Sequence, residues 1–177
     1  MKITFTKAIL ALTMFSSTIF YPLQAFDFIE KNIPETHFIY KTISAEANDF
    51  HSQSKAAGID IMRKLATKIR VKAAGDFTGV ILQSEQKNPN ILVAQVGFPI
   101  AKAANSQGRL KYQKLESLKV VAVHYQGSRA ELAQAWQDLY QYVIAQGYQL
   151  NGESRFVINA PEKEGMVDME LQVGVQP

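Results

Sequence analysis

The chain has no cysteine among its 177 residues. That excludes a disulfide framework, and it excludes a lipid-modified cysteine near the N-terminus. Its three histidines, His37, His51 and His124, show no metal-ligand spacing, so no metal site is expected. No serine and histidine stand in a recognisable nucleophile–base frame. The ten glycines are scattered singly, with no phosphate loop or dinucleotide fingerprint, so no cofactor is expected either. Long apolar runs are missing too. The uncharged stretch Ala8–Phe20 is 13 residues, whereas a spanning helix needs about 20.

What stands at the N-terminus is the layout of a secretory signal. Lys2 and Lys7 give a positive start, the short apolar run follows, and Pro22 precedes Leu23-Gln24-Ala25. The expectation is a cut near Ala25, a periplasmic or secreted protein, and no stable membrane insertion after cleavage. An uncleaved anchor is disfavoured by the shortness of the run. Removing 1–25 takes two lysines from the 19 basic residues and none of the 16 acidic ones, so the net charge falls from +3 to +1. A near-neutral body gives no electrostatic reason to expect nucleic acid as a partner. The basic run Arg63, Lys64, Lys68, Arg70 and Lys72 reads as a solvated helix face.

The remaining 152 residues are the size of one domain, and they read as one unit used twice. Ser128 with Glu131 forms a capping box. Leu132, Ala135, Trp136, Leu139, Tyr140, Val143 and Ile144 then recur at helical spacing, and Gly147 supplies the stop. Lys119–Tyr125 before this helix reads as a strand. Arg155–Asn159, a turn at Pro161-Glu162-Lys163-Glu164-Gly165 and the alternating Val167–Val175 follow it. The same order occurs earlier: strand Thr36–Ser44, helix Ala47–Lys72, a break at Gly75, strand Phe77–Gln83, a turn at Lys87-Asn88-Pro89-Asn90, strand Ile91–Phe98. Ala94-Gln95-Val96-Gly97-Phe98 overlays Leu171-Gln172-Val173-Gly174-Val175. The expected layout is a tail over 26–35, module one over 36–99, a linker over 100–114 and module two over 115–175, all one domain to residue 177.

Alternation in the last strands sends Leu92, Ala94, Val96, Phe98 and Met169, Leu171, Val173, Val175 toward the helices. The opposite set holds Gln95, Glu170 and Gln172. That face is either wet surface or the floor of a cleft.

Leu115–Tyr125, Gly127-Ser128, the helix with Trp136 and Leu139, and the closing Met169-Glu170-Leu171-Gln172-Val173 resemble the gyrase-inhibitor-like effector-binding domain. This is the small-molecule-binding domain often attached to AraC-type and MerR-type regulators, and the resemblance covers about residues 36–175. It implies an α+β fold: a duplicated strand–helix–strand–strand module making an antiparallel sheet, two helices on one face, a ligand groove on the other, with a likeness to SOUL haem-binding proteins. It also implies aromatic or cationic ligands held between rings, with an acid on the last strand, which here is Glu170. His124, followed by Tyr125 and Gly127, matches a histidine that often precedes a glycine turn. Two features depart from the pattern. Gly97 and Gly174 replace a proline that usually follows valine, and a signal peptide stands where a DNA-binding region often does.

The ligand-binding residues expected from the two lines together are Glu170, Tyr125, Phe98, Gln95, Gln172, His124 and Trp136. Trp136 lies on the helical stripe, which favours a place in the core, so Tyr125 and Phe98 at strand ends are the better candidates. The function expected is an exported protein binding a small apolar or cationic molecule. The alternative is a hydrolase of reactive small molecules, with Glu170 as acid or base beside Tyr125 or His124. A third reading is haem or porphyrin binding, without a histidine motif to support it.

Overall fold

A computed structural model describes residues 26–83, 88 and 90–177. The signal peptide expected over 1–25 lies outside the described residues, as does part of the turn expected at 87–90. Among the described residues eight strands and two α-helices follow in the order β1 (Phe28–Ile33), β2 (Thr36–Glu46), α1 (Ala47–Lys64), β3 (Thr78–Leu82), β4 (Ile91–Ile100), β5 (Lys111–Leu115), β6 (Leu118–Ser128), α2 (Leu132–Ala145), β7 (Leu150–Lys163) and β8 (Met166–Val175). The fold is the expected α+β one: a single eight-stranded antiparallel sheet with both helices on one face.

Local chemistry explains most element ends. Ser128 caps the second helical segment, its Oγ accepting from Ala130 N at 3.2 Å, and a short 3₁₀ turn leads into α2. The helix stops at Ala145, and Gly147 follows at φ 79°. α1 is shorter than the expected Ala47–Lys72. It passes at Leu65–Ile69 into one π turn that ends on left-handed Arg70. β7 is longer than its apolar signal and continues through the expected turn. The reversal is a two-residue hairpin at Glu164-Gly165, both with positive φ.

The duplication is visible in the register. β2 and β6 are both 11 residues and start 82 positions apart. The strand order β1-β6-β8-β7-β3-β4-β2-β5 reads the same from either end once equivalent strands are exchanged. The pseudo-two-fold axis passes between β3 and β7 at the pair Gly79↔Phe156. Each module also has a leading strand that period-two patterning does not reveal. β1 falls in the expected tail and β5 at the end of the expected linker, and each pairs with the other module.

This exchange closes the sheet. Only residues 34–35 join β1 to β2, and only 116–117 join β5 to β6, yet each pair is separated by six strand spacings in the sheet order. A flat sheet would need about 29 Å there, and such a link reaches about 11 Å. The sheet therefore wraps into a barrel, and its helix-free face becomes the interior. Hence Phe38, Val80, Val120 and Ala122 are fully buried with no helix over them. The helices cover the outside, with Leu139 and Val143 on Val121, Leu171 and Val173, and Ile61 and Leu65 on Ile39 and Ile100. Among the described residues no helix is long and apolar enough to cross a membrane.

Candidate functional site

Between α1 and α2, over the pseudo-two-fold axis, lies a cavity of about 720 Å³. Phe50, Ser54 and Gly58 of α1 form one wall, and Leu132, Ala133 and Trp136 on the α2 side form the other. Phe77, Ile81, Phe98, Phe156, Ile158 and Met169 make the floor. Phe156 meets Phe50 edge-on at 6.2 Å and Phe77 meets Phe98 edge-on at 5.3 Å, so two aromatic pairs line the floor and one wall. Ile59 and Met62 stand exposed at the mouth.

Two glycines allow the rings to lie where they do. A Cβ on Gly79 would fall 2.1 Å from the Phe156 ring, and one on Gly58 would fall 2.9 Å from the Phe77 ring. The helix-interior glycine, normally a cost of about 1 kcal/mol against alanine, is here the gap that admits Phe77.

Polar groups are few. His51 and Lys55 sit on the α1 side and Arg129 stands near the start of α2. Burial, then the charges of Arg129 and Lys55, hold the His51 imidazole below its ordinary range and favour its neutral form. Asp168 is the one carboxylate among the described lining residues, and it accepts from His124 at 2.8 Å and Asn159 at 3.0 Å. The His124 bond, then that of Asn159, holds Asp168 below the usual carboxylate range. Among the described residues no group of three His, Asp or Glu is placed to hold a metal.

The residues expected from sequence divide between the two faces. Phe98 and Trp136 line the cavity. Glu170, Gln172 and Gln95 point the other way, into the barrel. There Glu170 accepts from Lys31 Nζ at 2.7 Å and from Gln172 Nε2 at 2.5 Å, while Gln95 accepts from Gln113 at 2.7 Å. Arg155, nearly fully buried, pairs with Glu153 at 2.5 Å in the same interior. The helix-free face is thus neither wet surface nor the floor of an open groove, and the apolar hollow is on the helix side. Tyr125 is packed in the outer core, where its hydroxyl donates to Ser128 O at 2.6 Å. Burial, then the Glu131 charge, raises its pKa. His124 is exposed at the barrel rim.

Sequence reasoning missed Ser54, Gly58, Phe77 and Phe156 as site residues. A signal for two of them exists: Phe50, Ser54, Ala57, Gly58 and Ile61 share one helical face, and a hydroxyl and a glycine interrupt its apolar stripe.

Comparison with protein-family profiles and with curated proteins gives no match. Solved structures do match. The EcmrR C-terminal domain superposes with a TM-score of 0.74 at 20% identity, over 86% of this chain and 98% of that one. Within EcmrR bound to DNA the chain spans 57% of the partner's length. SAV2435, bound to tetraphenylphosphonium, gives 0.55 at 9% identity over 85% and 94%. A hydrolase from Listeria innocua gives 0.57 at 10% identity over 84% and 91%. At these identities the likeness is one of fold, shared with the EcmrR C-terminal domain over nearly the whole of that domain.

Proposed function

We propose that the chain is an exported small-molecule-binding protein that takes a largely aromatic or apolar ligand between α1 and α2. The observation that carries this is the cavity itself: about 720 Å³, floored by rings and poor in polar groups, the form expected of a pocket for a small molecule. The fold shared with EcmrR and with tetraphenylphosphonium-bound SAV2435 supports a binding role. The N-terminal charge and apolar pattern supports export. The hydrolase reading has less behind it. Glu170 and His124 are cross-strand neighbours, but each is engaged, by Lys31 and Asp168, and Tyr125 points to the opposite side of the sheet.

Native mass spectrometry of protein recovered from the exporting compartment tests both parts of the proposal. The expected chain starts near Phe26 and carries a non-covalent small molecule, which Ala133→Trp, filling the cavity mouth, no longer retains. A full-length mass would count against export, and equal retention by Ala133→Trp would place the ligand elsewhere.

A further inference from the structure

Ser54 is 6% exposed, lines the cavity from the α1 side, and its Oγ has no hydrogen-bond partner among the described residues. A buried hydroxyl without a partner is costly, about 1–3 kcal/mol, and a helical serine ordinarily relieves that cost by bonding the carbonyl four residues back. Ser54 does not do so with Phe50. Its place in the duplication sharpens the anomaly. With β2 and β6 starting 82 positions apart and a helical segment following each directly, Ser54 and Trp136 occupy equivalent positions. They line the same cavity from opposite helices. One wall therefore presents an indole face and the other a hydroxyl, so the two ends of a bound molecule meet different chemistry. The charged groups beside Ser54 are donors, Lys55 next in sequence and Arg129 across the mouth, while His51 one turn earlier both donates and accepts in its neutral form. The acceptor Asp168 is already engaged by His124 and Asn159.

We infer that the cavity takes flat aromatic molecules that carry a carbonyl or similar hydrogen-bond acceptor, anchored by donation from the Ser54 hydroxyl. This rests on the small-molecule-binding reading above and names the ligand class for it. The apolar body lies over Phe156 and against Trp136, and the acceptor takes up the hydrogen-bonding capacity that Ser54 leaves unused in the free protein.

Two probes of matched shape separate the possibilities: 2-acetylnaphthalene, which has the acceptor, and 2-isopropylnaphthalene, which does not. The single tryptophan of the chain, Trp136, lines the cavity and reports both by fluorescence titration. Ser54→Ala should weaken the ketone about five- to ten-fold, the worth of one hydrogen bond, and leave the hydrocarbon within about two-fold, as removal of an uninvolved group does. The same substitution should raise the melting temperature of the free protein, since it removes an unpaired buried hydroxyl. Equal effects on the two probes, or no effect on either, would overturn the role of Ser54 while leaving the cavity as a binding site. Failure of both probes to bind would overturn the binding reading and the inference together.

Discussion

Gly79 and Phe156 are equivalent residues of the two modules that meet across the pseudo-two-fold axis, and the smallest side chain makes room for one of the largest. A symmetric pair of phenylalanines would collide there, and a pair of glycines would leave the floor of the cavity open. Gly79→Ala should therefore destabilise by roughly 1–3 kcal/mol, the usual cost of overpacking, read as a lower denaturant midpoint. Phe156→Leu in the same chain should recover part of that loss, and simple additivity of the two changes would contradict the steric cause. Neither residue was legible as a site. Both sit in strands whose period-two pattern shows which face a side chain takes, but pattern alone carries no information about what crosses a two-fold axis. Glu170 shows the converse. Expected from sequence as a ligand-binding acid, it is paired with Lys31, which comes from a strand that sequence patterning left as a tail.

At the scale of elements, α1 is fastened to β2 by charge as well as by packing. Asp60 accepts from Lys41 on β2, from Lys64 at 2.8 Å and from Arg63 at 2.9 Å. Two members of the basic run that read as a solvated face are therefore neutralised within the fold. Lys41, followed by Lys64 and Arg63, holds the Asp60 carboxyl far below the usual carboxylate range. A depressed folded value stabilises the protein above the ordinary aspartate value near 3.8 and loses that contribution as the pH falls below it. Asp60→Asn should lower the melting temperature at pH 7, and the difference from wild type should shrink progressively as the pH falls below about 4. A constant difference across that range would contradict the assignment. The helices and six of the strands were legible because their apolar periods are strong. The short β1 and β5 were not, because Phe28–Ile33 and Lys111–Leu115 alternate weakly and are specified by partners in the other module.

For the whole molecule, the exchange of leading strands determines on which face a cavity can form. Two-residue links at 34–35 and 116–117 draw the sheet ends together, so the helix-free face fills with Phe38, Tyr40, Val80 and Leu115 on one side and Leu118, Val120 and Ala122 on the other. The Lys31–Glu170–Gln172 chain and the Arg155–Glu153 pair lie in that interior. The duplication was legible from spacing alone, but closure was not, since it depends on which strand neighbours which. Closure leaves the apolar hollow on the outer, helix-bearing side. Amide chemical-shift mapping with saturating 2-acetylnaphthalene distinguishes the two sides directly. The cavity between the helices predicts shifts at Gly58, at Gly79 and at the Trp136 indole N–H, with Gly174 and the side-chain amides of Gln95 and Gln172 unmoved. Shifts concentrated on Gln95, Gln172 and Gly174, with Gly58 and Trp136 unmoved, would place the ligand inside the barrel and contradict a site between α1 and α2.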